Sequence, residues 1–192
     1  MAVEMFVELK RIKFVYFDMG NVLFSFSGGL ESLAKLFNKP FEEVKKYWLS
    51  SDNDICRGVL KPQDFWNEAK LFFNYKGKDI NFVDFWVKHF SKIQKGHELV
   101  IQLSKSYKIG LITNIYPEVF EKVVHSDLMP QIDWDCIIKS CDYGFVKPER
   151  ELFDAALNKI GFKANEVLLI DDIQENCDKA IENGWRSMLF KQ

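Results

Sequence analysis

The sequence predicts an α/β fold: a Rossmann-like parallel sheet core interrupted by a small all-helical insertion. Three observations predict it. Short apolar runs that stop abruptly at polar residues recur along the chain. Helical periodicity fills the gaps between most of them, which is the pattern of βαβ units. One long stretch after the first run is helical throughout. At 192 residues the chain is long enough for a good core carrying a small second unit.

Taken in order, residues 13–17 read as a short buried strand that ends at Asp18, within "FVYFDMGNVLF" (14–24). Residues 26–95 then show helical spacing: Leu30, Leu33, Ala34 and Phe37; Phe41, Val44 and Trp48; Phe65, Trp66, Ala69, Phe72 and Phe73; Phe82, Phe85, Trp86 and Phe90. Aromatic residues at that spacing form the core of a small bundle, and His89 lies on the same face as a hydrogen-bonded packing residue. "KIGLITN" (108–114) and "EVLLIDD" (166–172) repeat the design of the first strand, with "WDCIIKS" (134–140) and "WRSMLF" (185–190) as weaker strands. Pro117 and Pro148 each suit a first helical turn. The faces that follow are Val119, Phe120, Val123 and Val124, and then Leu152, Phe153, Ala156, Leu157 and Ile160, stopped at Gly161. Ile173, Cys177, Ala180 and Ile181 make a third face, ending at Gly184.

Composition excludes several classes. A net charge of −2 without a Lys/Arg run gives no nucleic-acid footprint. No apolar stretch is long enough to span a bilayer, and "MAVEMFVELKRIK" lacks the continuous apolar segment of a signal peptide. Cys56, Cys136, Cys141 and Cys177 show neither a C-x-x-C pair nor zinc spacing, as expected of reduced thiols in a cytoplasmic protein.

In an open parallel sheet, ligands bind outside the carboxyl ends of the strands, so each strand-end signature should reach one crevice. The first strand delivers Asp18, "LITN" delivers Thr113 and Asn114, "FVKPE" delivers Lys147, and "LLIDD" delivers Asp171 and Asp172. Three carboxylates in one crevice repel one another unless a cation sits between them, and an all-oxygen set suits Mg²⁺. A lysine and a hydroxyl beside that cation make a site for a phosphoryl group.

In this order the four signatures resemble the motifs of the haloacid dehalogenase-like (HAD) superfamily: "FVYFDMGNVL", "LITN", "GFVKPERELF" and "VLLIDDIQENCDKAIENGW". The resemblance covers nearly the whole chain after about residue 12, and the helical stretch resembles the small cap of one branch. It implies a core of residues 1–25 and 96–192 and a helical cap of 26–95. It further implies that Asp18 is a nucleophile forming an aspartyl-phosphate. Thr113, with Asn114 beside it, would hold the phosphoryl group, and Lys147 would neutralise its charge. Asp18, the Gly20 carbonyl and Asp171 would ligate Mg²⁺, and Asp172 would ligate it or orient its water.

Most phosphatases of that family carry a second aspartate two residues after the nucleophile, as general acid and base. Here the residue is Gly20, which keeps the carbonyl, loses the carboxyl, and is free to adopt positive φ. The "Asp-x-Gly-Asn-Val" turn looks like a recurrent variant of the capped branch. Such an acid typically contributes about 10²–10⁴ in rate. The implied function is a Mg²⁺-dependent phosphatase of a small phosphorylated metabolite, such as a sugar phosphate, with weakened chemistry. Two alternatives stay open: a metal- and phosphate-binding protein without turnover, and a haloacid dehalogenase, which attacks with the same aspartate and needs no metal. In the cap, "DICRGVLKPQDFW" resembles the segment that faces the active site, which makes Arg57, beside Cys56, a candidate substrate-binding residue.

Overall fold

The computed structural model describes residues 11–192. Residues 1–10, which begin the expected core segment and hold most of the stretch read against a signal peptide, lie outside the described residues. Among the described residues, no helix is long and apolar enough to cross a membrane.

Five parallel strands form the central sheet in the order β5-β4-β1-β6-β7: β1 Phe14–Phe17, β4 Lys108–Thr113, β5 Cys136–Lys139, β6 Val167–Asp171 and β7 Arg186–Leu189. β1 lies at the centre and is buried on both faces, as expected for a parallel strand covered on each side. Its alternation divides the core. Val15 and Phe17 pack into one hydrophobic cluster, Phe14 and Tyr16 into the other. Helices α6 (Gln94–Leu103) and α7 (Val119–Val123), the short α8 (Ser140–Tyr143), α9 (Arg150–Ile160) and α10 (Gln174–Glu182) complete this part of the fold. From β1 the chain moves outward through β4 and β5, then returns to β6 on the other side of β1. That reversal is a topological switch point, and Asp18 extends β1 across it, its N–H donating to the Ile170 carbonyl at 2.9 Å.

The expected strands are all present, and the helical stretch is interrupted only at its ends. It enters and leaves through a two-residue antiparallel pair, β2 (Phe24–Ser25) and β3 (Ser91–Lys92). Between them lie α1 (Ser27–Phe37), α2 (Phe41–Leu49), α3 (Asp52–Cys56), α4 (Pro62–Phe72) and α5 (Phe82–Lys88). Pro62 opens α4 at a position where its missing N–H costs nothing. Asn81 caps α5 through its side chain, and Asn38 ends α1 in the left-handed conformation. Phe65, Trp66 and Phe82 are fully buried, each contributing roughly 1.5–3 kcal/mol of apolar burial. The insert's core is continuous with that of the sheet's first face. His89 accepts the expected packing role, its Nδ1 lying 2.7 Å from the Phe85 carbonyl.

Several helix starts and faces differ from the sequence pattern. α7 begins at Val119, because Glu118 takes a left-handed φ of 70° that breaks any helix begun at Pro117. α9 begins at Arg150, two residues after Pro148, because Glu149 is extended and its carboxylate accepts from the Val146 N–H and from Arg57. On α10 the buried face is Asn176, Cys177 and Ala180, while Ile173 and Ile181 are exposed. Phe72 is likewise 64% exposed, covering Tyr47 at the insert's surface. All four cysteines are free thiols.

Candidate active site

The strand ends converge as their order requires. Asp18, Thr113, Lys147 and Asp171 are all buried, and Asp18, Thr113, Asn114, Lys147 and Asp172 line one cavity of about 160 Å³. Lys147 Nζ bridges the two central strands: it donates to Asp171 Oδ2 at 2.6 Å and pairs with Asp18 Oδ1 at 2.9 Å. The second contact lies outside hydrogen-bond angles, so the buried Asp18 Oδ1 has no hydrogen-bond donor. Oxygens of Asp18, Asp171 and Asp172 lie within 4.8 Å of one another. Against the single Lys147 ammonium this leaves two carboxylate charges uncompensated at the site, and an oxygen-only donor set with an orphaned oxygen fits a hard divalent cation.

The electrostatics follow from that crowding. Burial, partly offset by Lys147 and reinforced by Asp171 and Asp172, pushes the Asp18 carboxyl up to about 7. Burial alone would lower Lys147, but Asp171 and Asp18 overcome it and hold the ammonium above its ordinary range. Asp172 is raised by burial and by Asp171, and the Asn21 amide opposes this.

The two acids at the end of β6 do different work. Asp171 is fully buried and both its oxygens are taken: Oδ2 by Lys147, Oδ1 by the Ile173 N–H at 2.9 Å and Asn176 Nδ2 at 3.0 Å. Asp172 is half-buried, lines the cavity, and gives Oδ2 to Asn21 Nδ2 at 3.2 Å. Both acids of the expected pair thus sit in the cluster, and their hydrogen bonding differs. Asp172 is the freer donor, and Asp171 positions Lys147.

Asn114 lines the cavity beside Thr113, as expected of its place at the strand end. Its Oδ1 accepts from the Lys147 N–H at 2.7 Å and its Nδ2 donates to the Lys147 carbonyl at 2.9 Å. That reciprocal pair ties the amide to the Lys147 backbone and leaves the second Nδ2 hydrogen unspent. Thr113 stays at the cavity wall, where β4 ends.

Gly20 lines the cavity at the turn that follows β1. The Met19 carbonyl collects the N–H groups of Val22, Leu23 and Phe24 at 2.8–3.3 Å, leaving the Gly20 carbonyl outside that fan. The positive φ that glycine would permit is found instead at Asn21, with φ 53°. What Gly20 supplies is space, since a Cβ there would meet Phe26 Cε1 at 3.2 Å.

Arg57 does not reach the cavity. Its guanidinium forms a two-pronged pair with Glu149, Nη1 to Oε2 at 2.8 Å and Nη2 to Oε1, and Nη1 also donates to the Gly144 carbonyl at 3.0 Å. It fastens α3 to the segment leading into α9. Cys56 does line the cavity, and burial, with Asp52 next in effect, pushes its thiol well above the ordinary range, so it is a neutral wall. Beneath it Ser140 Oγ donates to the Cys56 carbonyl at 2.6 Å. Next to this, Gly58 (φ 73°) packs so close to Cys141 that a Cβ would lie 2.8 Å from its carbonyl oxygen.

Residues that the sequence did not single out close the cavity from the insert side. Phe26, Trp48, Asp52, Trp86 and Phe90 line it, with Tyr116 from the sheet side. Trp48 Nε1 donates to Tyr116 Oη at 2.6 Å, and Tyr116 Oη donates to Asp52 Oδ1 at 2.6 Å. Part of the aromatic set that reads as bundle core thus faces the cavity.

The chain is similar to several known proteins. It matches bifunctional epoxide hydrolase 2 of Rattus norvegicus with 27% identity over 93 residues, 45% of this chain and 16% of that protein. The Mus musculus counterpart is 34% identical over 56 residues, 29% of this chain and 10% of that protein, so the chain spans less than a fifth of either relative. A HAD family enzyme from Bacteroides thetaiotaomicron superposes with a TM-score of 0.79 at 21% identity, covering 94% of each chain. Its complex with magnesium and inorganic phosphate superposes at 0.77, with 20% identity and 94% of each chain covered. L-2-haloacid dehalogenase from Xanthobacter autotrophicus, with chloropropionic acid covalently bound, gives 0.66 at 15% identity, covering 92% of this chain and 76% of that one. These structural likenesses establish the shared fold. The haloacid dehalogenase-like hydrolase family matches residues 12–180, a span that takes in the insert, every strand of the sheet except β7, and every strand end at the cavity. The chain therefore belongs to the haloacid dehalogenase-like hydrolases.

Proposed function

We propose that this hydrolase is a Mg²⁺-dependent phosphatase of a small phosphorylated metabolite, working through an aspartyl-phosphate on Asp18. The observation that carries the reading is the Lys147 ammonium held 2.9 Å from Asp18 and 2.6 Å from Asp171, with Asp172 in the same cluster. A cation and a lysine on either side of one carboxylate suit attack on a group carrying several negative oxygens. Three clustered acids, which repel one another without a cation, favour this reading over a metal-free dehalogenase. The solved relative with magnesium and inorganic phosphate supports both the ion and the group transferred.

Asp18, the Gly20 carbonyl and Asp172 would hold Mg²⁺, which when bound withdraws charge from the phosphoryl oxygens. Asp18 is the nucleophile, kept ionised by Lys147 and the cation together against the burial that would protonate it. Lys147 takes a second phosphoryl oxygen, and Asp171 and Asn114 fix the direction of its ammonium. Thr113 supplies a hydroxyl at the same wall. The two amides Asn21 and Asn176 support the acids from behind.

Residues 26–95 serve as a cap over a core of 1–25 and 96–192, because Phe26, Trp48, Trp86 and Phe90 form the aromatic side of the cavity whose polar side carries Asp18. A volume of about 160 Å³ is the scale of one six-membered ring, which supports a small organic phosphate as substrate. The test is a panel of small phosphate esters, assayed with Mg²⁺ and with chelator. Turnover that needs Mg²⁺ and vanishes in Asp18→Asn is the expected result; turnover indifferent to chelator would overturn the metal.

A further inference from the structure

We propose that Asp52, on α3, is the general acid that protonates the departing oxygen, in place of the carboxyl that the Gly20 turn lacks. The assignment rests on the phosphatase reading above. Among the described residues lining the cavity, the carboxylates are Asp18, Asp52 and Asp172, and no histidine is present. Asp18 and Asp172 belong to the polar cluster with Asp171 and Lys147. Asp52 is the acid on the insert's wall, which leaves it facing the leaving group.

The hydrogen bonds around Asp52 prepare one of its oxygens for that task. Trp48 Nε1–H is a donor only, so at 2.6 Å it occupies a lone pair of Tyr116 Oη. Tyr116 must then place its single proton on Asp52 Oδ1, 2.6 Å away. The Cys56 thiol approaches the same Oδ1 at 4.0 Å. Both donors fall on Oδ1, so a proton on the acid belongs to Oδ2. Burial holds the Asp52 carboxyl above its ordinary range, and the Tyr116 hydrogen bond opposes this. The groups facing Asp52 are Tyr116 from the sheet side and Cys56 on its own helix, and Asp18 and Lys147 lie within electrostatic reach of that cysteine.

The steps balance. An Asp18 oxygen bonds to phosphorus as the bond from phosphorus to the ester oxygen breaks, and the ester oxygen takes the proton of Asp52 Oδ2. The alcohol leaves, and Asp52 is now a carboxylate. Water then gives a proton to Asp52 and bonds to phosphorus as the bond to Asp18 breaks. Inorganic phosphate is released, Asp18 is again a carboxylate, and Asp52 again carries its proton.

The test compares p-nitrophenyl phosphate, whose leaving group needs no proton, with glycerol phosphate, whose leaving group does. Both are followed in the first turnover with Mg²⁺ present, in wild type, Asp52→Asn and Tyr116→Phe, with thermal melting as the folding control. Asp52→Asn should keep a burst of p-nitrophenol close to one per site and then turn over slowly, while its first turnover of glycerol phosphate falls about 10²–10⁴-fold. Tyr116→Phe keeps the acid but removes the hydrogen bond that lowers it, so the alkaline limb for glycerol phosphate should move to higher pH. Equal losses on both esters, no loss on either, or an unmoved limb would overturn Asp52 alone. Wild type inactive on both esters would overturn the phosphatase reading and Asp52 with it.

Discussion

The ring of Phe26 stands over Gly20: a Cβ on that glycine would meet Cε1 at 3.2 Å and Cδ1 at 3.7 Å. The turn after Asp18 and the first residue of the insert are thus matched to each other. Because Gly20 itself does not need a left-handed backbone, an aspartate there costs the displacement of the ring and the repulsion of a further carboxylate beside Asp18 and Asp172. Gly20→Asp should destabilise the protein by about 1–3 kcal/mol through overpacking. Adding Phe26→Ala should recover part of that loss and let the new carboxyl into the cavity. On an Asp52→Asn background, the same two changes should raise turnover of alkyl phosphates relative to aryl phosphates. Melting curves and a leaving-group series check both halves, and a single variant as stable as wild type would show that Phe26 yields freely.

The unequal hydrogen bonding of Asp171 and Asp172 sets an order of metal affinities. Losing a residue that only orients a ligand typically costs about 10–100-fold in metal affinity. Asp171→Asn should fall in that range, since Lys147, Ile173 and Asn176 already fill its oxygens. Asp172→Asn should cost more. Titration calorimetry with Mg²⁺ measures both, and the opposite order would return Asp171 to the metal.

Asp18 carries a pH signature in the metal-free protein. Its carboxyl is raised from 3.8 to about 7. A raised acid contributes stability while protonated in the fold, fully below the unfolded value, and that contribution is lost as pH rises through the folded value. Metal-free wild type should therefore lose stability between about pH 4 and pH 8, by roughly 1–4 kcal/mol from this group. Asp18→Asn should melt close to wild type near the acid end and above it at the alkaline end. Added Mg²⁺ should reverse the difference by binding wild type only. Parallel melting curves for the two proteins across that range would remove Asp18 as the cause.

What the sequence could show was set by how each residue is held. Asp18, Thr113 and the Asp171–Asp172 pair each close an apolar run at a strand end, so their meeting follows from sheet topology, while Lys147 comes from the loop between Tyr143 and Arg150. The division of labour between Asp171 and Asp172 depends on Asn176, five residues on, and on which oxygen it reaches. Nothing in "LLIDDIQEN" ranks the two. Asn114 sits in a strand-end motif but ties its side chain to a backbone 33 residues away. The Trp48–Tyr116–Asp52 chain joins an aromatic of the insert, a residue after β4 and a helix start, with sequence separations of 68 and 64. Pairings that long leave no local pattern. Trp48, Trp86 and Phe90 keep helical spacing whether they face a core or a cavity, so periodicity could not separate the two uses.

Arg57 carries the last prediction, because its sequence position suggested one role and its partners give another. The guanidinium grips both oxygens of Glu149 and the Gly144 carbonyl, and the adjacent Cys56 carbonyl takes the Ser140 hydroxyl. These contacts fix the end of the insert's third helix against the segment that carries Lys147. The pair is partly exposed, with side chains 26% and 33% accessible, so its stabilisation is about 1 kcal/mol and is screened by salt. Arg57→Ala should lower the melting temperature by about 2–4 °C, the shift expected of that energy in a protein of this length. Its effect on turnover should be a uniform decrease of several-fold across substrates, because what loosens is the wall and not a substrate contact. Glu149→Gln should reproduce the effect, and raising the salt concentration should bring wild type towards both variants. A residue that touched substrate would behave differently, changing the ratio of kcat/KM between substrates while Glu149→Gln left that ratio alone. Measuring the ratio for a pair of esters in the two variants decides between them, and a selective loss in Arg57→Ala would put the arginine back over the crevice.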